Sequence, residues 1–464
     1  MRVHLVKGAV FLLILCLAAG DAQAFSWPWE KRSSEFGVRS SEKKKEPDAS
    51  FPNSELPTPN SQVVKASLTL VQAYEKALQR SESVAITAKE IDLAQARFYR
   101  SFDYFLPQVH FEMTRFQQDV DDDVSSSGQL NFGRQRTPEK KFVFSQPLFS
   151  GFREIAALSG AGADKKEQRM KLKRAKEVLF VDVMEAYYTL LNSGEDVGVL
   201  YAIRRMMSER MKDLDDRVRL GRSRESESKT SFAEMKILES DLVEAKRAQR
   251  AAKNLLEFYT GENLESVSLA EENGEEREVL YVPGAEQGRS DVVQYEQAYI
   301  VAQKKVIAAN ANFFPEISLD GNYYTHRVGF QSGNDWDVTL KFDVPVFEVA
   351  QTLGDVKEAA SLREQARLEW EERKRQANLE ARDALEELRS DLEAERTLEE
   401  ARRASKENYE ILQKEFSTNL VNNLDVLDSL RSYQDTQRRY ERARYDAKKS
   451  YWRLKLALGE IGVL

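Results

Sequence analysis

The feature that most constrains this chain is an internal duplication. Helix-forming sequence begins near Leu68, stops at Phe105-Leu106-Pro107, gives way to strand-like sequence, and resumes after Gln146-Pro147-Leu148-Phe149. The same order returns at Phe313-Phe314-Pro315 and Val344-Pro345-Val346-Phe347. Proline disfavours helix in the residue before it and cannot continue one, so each junction acts as a switch. Gly221 and Asn419 close the two long helical stretches; both residue types tolerate the left-handed conformation that ends a helix. Each is followed 40 residues later by a second glycine, Gly261 or Gly459. Two repeats, 66–261 and 290–464, therefore flank a polar connector, 262–289, and each reads helix, strand, strand, long helix, turn, return helix.

The stretches 151–220 and 347–418 are each about 70 residues, which at about 1.5 Å per residue reach on the order of 100 Å. That is an arm of coiled-coil length, and Leu179, Val183, Ala186, Leu190 and Val197 recur at spacings of three, four and seven. The return helix 222–260 covers half that length. A helix of similar length, 68–106, is expected to stack end to end with it and complete the opposite side.

The four strands, expected at about 108–118, 139–147, 315–325 and 335–345, alternate with a period of two. Trp336, Val338, Leu340, Phe342 and Val344 interleave with Asp337, Thr339, Lys341 and Asp343. Val109, Phe111 and Met113 oppose His110, Glu112 and Thr114; Ile317, Leu319, Gly321 and Tyr323 oppose Ser318, Asp320, Asn322 and Tyr324. The second strand is weaker, with Phe142 and Phe144 against Lys141, Val143 and Ser145. Segments of about ten residues suit tilted membrane-spanning strands. A half-buried sheet in a soluble protein gives the same alternation. Long polar loops, with Asp121-Asp122-Asp123 in 119–128, favour the membrane. Four strands cannot close a barrel and lipid permits no open edge, so insertion requires several copies of the chain.

Residues 1–24 read as a signal peptide: Arg2 and Lys7, an apolar run from Val10 to Ala19, and Ala22-Gln23-Ala24. The single cysteine, Cys16, lies inside it, so the mature chain is expected to carry no thiol. Prolines at 47, 52, 57 and 59 and Lys43-Lys44-Lys45 mark 25–65 as a flexible leader, a spacer or a docking segment. Without Arg2, Lys7 and Asp21 the chain has 67 basic and 76 acidic residues, which argues against nucleic-acid binding. No phosphate-binding glycine loop, metal-ligand cluster or nucleophile motif stands out, so catalytic, cofactor and metal sites are all expected to be absent. The chain is not read as an enzyme.

The Leu106-Pro107 and Phe314-Pro315 junctions, the two Pro-containing strand exits, Leu424-Asp425-Val426-Leu427-Asp428 and the closing Leu456-Ala457-Leu458-Gly459 together resemble the TolC family of outer-membrane efflux factors. The likeness covers about 66–461. It implies a mainly helical fold with a β-barrel: a homotrimer with twelve strands in outer-membrane lipid of a Gram-negative bacterium and twelve helices enclosing a periplasmic tunnel. It also implies a periplasmic adaptor and an inner-membrane pump that supplies energy for efflux or type I secretion. Gly221 and Asn419 would sit at the periplasmic tips, with Leu220, Gly221, Arg222, Ser223, Asn419 and Leu420 contacting the adaptor. Asp425 and Asp428 match the family's aperture aspartates. Residues three apart share a helix face, so several copies would converge carboxylates on a pore and attract cations. The alternative for both is support of the return helix's dipole. Phe416 and Val421 stand where the family has a latching tyrosine and arginine, which leaves room for an apolar constriction. The rival reading of the whole chain is a soluble periplasmic coiled-coil scaffold or adaptor.

Overall fold

The structure, a computed structural model, describes residues 67–117, 136–265, 268–271, 284–328, 332–346 and 349–461. The signal segment, the leader 25–65, the acidic loop 119–128, half of the connector and Phe347 lie outside those residues. The first repeat comprises β1 (Ser67–Leu68), α1 (Leu70–Arg80), α2 (Glu82–Arg100), β2 (Gln108–Gln117), β3 (Arg136–Ser150), α3 (Arg153–Arg219) and α4 (Glu225–Thr260). The connector contributes β4 (Ser268–Leu269), which pairs with β1 in parallel. The second repeat comprises α5 (Ser290–Asn310), β5 (Glu316–His326), β6 (Trp336–Asp343), α6 (Val349–Ser417) and α7 (Asn423–Leu458).

Two expectations need correction. The stretch 68–106 is not one helix: it opens as β1 and breaks at Ser81, whose backbone is extended. The Ser81 hydroxyl accepts from the Val84 N–H at 3.3 Å and starts α2 as its N-cap. Strand β3 runs 15 residues, well beyond 139–147. Register shifts at Lys140/Lys141 and Pro147/Phe149 interrupt its alternation, so a period-of-two reading sees only the middle.

The helices fold into a long body because each buries one stripe. Where α1, α3, α4 and α7 meet, Tyr74, Phe180, Tyr187, Tyr188, Tyr445 and Leu256 are buried together. Phe180 is the hub, its ring centroid 5.2 Å from both Tyr74 and Trp452. The Tyr187 hydroxyl lies 2.9 Å from the Leu68 carbonyl and 2.5 Å from that of Ala270, tying β1 and β4 to the long helix. A second cluster (Leu200, Ile203, Leu214, Met235, Leu430 and neighbours) fills the far half of the body.

The repeats are fastened by charge. Arg289, 1% exposed, donates to both oxygens of Asp291 (3.1 and 2.8 Å) and pairs with Glu380 of α6 at 2.7 Å. Arg373 of α6 reaches the same Asp291 at 2.5 Å, and Arg174 of α3 lies 3.6 Å away. Ser290 donates to the buried Glu177 of α3 at 2.6 Å. Burial alone would raise the Asp291 carboxyl, but the bonds from Arg289 and Arg373 and the charges of Arg174 and Arg289 outweigh it and bring it down to about 2. A pKa lowered on folding stabilises the fold above the unfolded value, ~4, and the contribution is lost as pH falls through about 2.

That contribution is on the order of 2 kcal/mol. The helical circular-dichroism melt of the detergent-solubilised protein should therefore be flat from neutral pH to about pH 5 and fall steeply below ~4. Asp291→Asn should lower the melt at neutral pH, by about 3–5 kcal/mol for the broken buried pair, and should flatten the acid limb.

Candidate functional site

Two parts of the molecule carry surfaces that the fold itself does not use. The first is the sheet, an antiparallel array in the order β2-β3-β5-β6. Its register carries apolar rows across all four strands: Val109, Phe144, Gly321 and Val338 in one, Phe111, Phe142, Tyr323 and Trp336 in the next. Phe144 is half-buried, but Val109, Phe111, Phe142, Tyr323, Val338 and Trp336 are exposed, Trp336 to 67%. The other face is polar and internally bonded. Ser145 donates to Asp320 at 2.6 Å, Asn322 and Tyr324 donate to Asp337 at 2.8 and 2.7 Å, and Lys141 lies 3.6 Å from Glu112. An exposed apolar face backed by a charged one is the inverse of a soluble half-sheet, and it suits lipid outside and water inside. At the base, Gly151 and Phe152 both have positive φ (+65° and +67°), turning the chain from strand into α3. A Cβ on Gly151 would fall 2.6 Å from the Ala311 carbonyl oxygen, so only glycine fits that corner. Phe149, Phe152 and Phe314 cluster around it, an aromatic patch at the sheet's rim.

The second part is the far end of the helices. Helix α3 closes with Gly221 at φ +67°, the Arg222 N–H bonding the Arg217 carbonyl (2.8 Å) and the Gly221 N–H that of Val218 (3.0 Å). Helix α6 closes the same way with Asn419 at φ +60°, Leu420 bonding Glu415 (2.9 Å) and Asn419 bonding Phe416 (3.0 Å). Both are paired Schellman closures, and they hold Leu220 and Leu420 out at 69% and 75% exposure. Arg222 is exposed too, and the half-buried Ser223 bonds Glu227.

Between the two tips lies a cluster that the sequence reading missed. Arg210, 7% exposed, donates twice to the Asn423 side-chain oxygen, at 3.0 and 2.7 Å. The Asn423 amide in turn donates to Ser231 at 3.0 Å. Arg217 donates to the Phe416 carbonyl (3.3 Å) and to Asn419 (2.9 Å). Both guanidinium groups stand 4.5 Å from the centre of the buried Phe416 ring. Burial pushes the Arg210 guanidinium's pKa down. Val421 packs half-buried against the same cluster. Phe416 and Val421 thus belong to the chain's own packing at the tip. The available signal was the pair Arg210 and Arg217, seven apart on one face of α3.

Asp425 and Asp428 are both exposed, on the side of α7 away from the buried Val426, Leu427 and Leu430. Asp425 closes a capping box: its carboxylate accepts from the Asn422 N–H at 3.1 Å while Asn422 accepts from the Asp425 N–H at 3.0 Å. Asp428 lies 3.8 Å from Arg431. Among the described residues no cluster of His, Cys, Asp or Glu could hold a metal, and no helix is long and apolar enough to cross a membrane.

Replacing Arg210 by alanine should loosen the tips without touching the rest. Losing two charge-assisted bonds and a stacked cation costs about 2–4 kcal/mol locally. Backbone hydrogen exchange over 409–431 should accelerate, while the region around Asp291 keeps its protection. Arg210→Lys should rescue only partly, because an ammonium cannot fork to Asn423 while stacking on Phe416.

Residues 282–460 match the family model described as outer membrane efflux protein. The fold is shared with solved structures at low sequence identity. These include the outer membrane protein VceC of Vibrio cholerae (TM-score 0.74, 18% identity, 84% of this chain and 96% of that one). The Campylobacter jejuni CmeC outer membrane channel matches at TM-score 0.74 and 16% identity over 89% and 94%. The open state of the Neisseria gonorrhoeae MtrE outer membrane channel matches at 0.66 and 19% over 89% and 97%. Curated proteins gave no match by sequence.

Proposed function

We propose that this chain is the outer-membrane channel of a Gram-negative efflux or type I secretion system, assembled as a homotrimer. One observation carries the reading: a four-stranded sheet, apolar and exposed on one face and charged on the other, opens directly into helices of about 100 Å. The match of 282–460 to outer membrane efflux proteins and the shared fold of the three channels support it. Three copies would bring twelve strands into lipid and extend a helical tunnel into the periplasm. The chain supplies a conduit; the driving force would come from an inner-membrane pump reached through a periplasmic adaptor docked on Leu220, Gly221, Arg222, Ser223, Asn419 and Leu420. Asp425 and Asp428 would ring the entrance, their carboxylates drawing cations there. A soluble scaffold has no use for exposed Trp336, Val338, Leu340 and Phe342 at alternate positions of one strand.

Envelope fractionation of an expressing Gram-negative cell, followed by an unheated mild-detergent gel, should return a trimer in the outer membrane. A monomer or dimer in the soluble periplasm would sink the reading. In planar bilayers, Asp425→Ala with Asp428→Ala should weaken block by divalent cations by about tenfold. Asp425→Ala alone should also cost about 1 kcal/mol through the lost cap.

A further inference from the structure

We propose that the end of the sheet remote from the helices binds the phosphorylated headgroups of the outer-leaflet glycolipid. This rests on the membrane reading above and gives it a lipid partner. Cross-strand partners share a face of a sheet, and alternate residues share it along a strand. Lys140 pairs with Met113, two places beyond Phe142, and Arg115 stands two places beyond Met113. Both therefore continue the apolar face that holds Phe111, Phe142, Tyr323 and Trp336. His326 joins them, because the register shift at Lys140/Lys141 steps over Thr325 and sets His326 opposite Lys140. The same shift sends Arg327 to the polar face, where it lies 3.7 Å from Glu139 and 4.1 Å from the centre of the Tyr324 ring.

Charge and height together select the partner. Arg115 and His326 are exposed and Lys140 is half-buried, and none of the three side chains bonds another described residue. The acidic residues of the strands, Glu112, Glu139, Glu316, Asp320, Asp337 and Asp343, all alternate onto the opposite face. From Lys140 toward the helices the apolar face carries no charged side chain among the described residues. Along β6 and just past it, Trp336, Val338, Leu340, Phe342 and Val344 are each more than half exposed there. Trp336 to Val344 covers about 27 Å of strand. At a tilt of about 40° that is roughly 20 Å of height, close to the apolar band of a membrane barrel. Lys140 lies about 7 Å along its strand beyond Phe142. A long basic side chain at such a margin lays its stem on the apolar row and lifts its charge among the headgroups. The strands rise from the helices, so this margin faces away from the periplasm, where the lipid of a Gram-negative outer membrane is a phosphorylated glycolipid. Arg115 and Lys140 are diagonal neighbours, about 7–8 Å apart at their β-carbons, a spacing that suits a headgroup with more than one phosphate. The guanidinium can fork to two phosphate oxygens while the ammonium supplies a point charge.

The test uses the full chain, extracted in mild detergent, stripped of lipid and titrated with diphosphoryl lipid A in mixed micelles, with retained lipid read by native mass spectrometry. Arg115→Gln with Lys140→Gln should weaken retention about twentyfold. Arg115→Lys with Lys140→Arg, which keeps both charges, should retain most of it, and Lys341→Gln on the polar face should leave it unchanged. Lipid A without phosphates should bind the wild type as weakly as the double glutamine variant binds the diphosphoryl form. Phosphatidylglycerol should bind the wild type more weakly than diphosphoryl lipid A does, and inorganic phosphate at equal concentration should not displace the lipid. Displacement by inorganic phosphate would make this a site for free anions, and equal retention of phosphatidylglycerol would remove the glycolipid; either overturns the inference. So would unchanged retention by the double glutamine variant. In each of these cases an oligomer in the outer membrane leaves the channel reading standing, whereas a monomer in the soluble periplasm would overturn both.

Discussion

A β-strand in hydrocarbon must have every backbone N–H and C=O paired, because nothing in lipid replaces the missing partner. The four-stranded sheet of this chain ends at β2 on one side and β6 on the other. Both edges carry outward apolar residues, Phe111 and Met113 on one and Val338 and Phe342 on the other, so neither edge is dressed for water. In lipid a single copy could not satisfy the pairing at those edges. Everything else in the molecule can be read as what a chain needs in order to meet that constraint by repetition.

Repetition explains why the helices leave unused faces. Within one chain α3 packs on α2, α4, α5 and α7, whereas α4 packs chiefly on α3, and α6 on α5 and α7. The exposed stripes of both helices carry charged residues, which suits them to water. An apolar stripe of that length would aggregate, whereas a charged one remains soluble. A sheet edge in lipid could not use this device, since lipid excludes charge.

Much of this was legible in sequence because it is periodic. The duplication, the proline switches at Pro107 and Pro315 and the alternation of Trp336 to Phe342 are patterns of spacing, and spacing survives without coordinates. What escaped was non-periodic. Ser81 breaks the first helix by a single cap, invisible in a run of good helix formers. Strand β3 hid behind two register shifts, since a bulge moves side chains from one face to the other and erases the period of two. Arg289 and Asp291 sit two residues apart in a polar connector, and only the fold brings Glu380 and Arg373 to them. The tip cluster was missed for the same reason: Arg210 and Asn423 are 213 positions apart. Asp425 bonds Asn422 at the start of α7, a contact within the return helix's first turn.

The two buried arginines are held by different chemistry, and the difference follows their position. Arg289 meets two carboxylates, Asp291 and Glu380, in a site shared by both repeats. Removing either partner would strand a charge, so that junction resists separation. Arg210 meets a neutral amide and the face of Phe416. An amide and a ring repay less of the arginine's lost hydration than carboxylates do, so the contact orders the tip at a smaller cost to undo. If the tips are where the tunnel opens, that is the partner chemistry the place requires: strong enough to align α3 with α7, and weak enough that water can take Arg210 back when the helices part. A carboxylate at position 423 would bind Arg210 more tightly and would turn a contact that can be released into one that cannot.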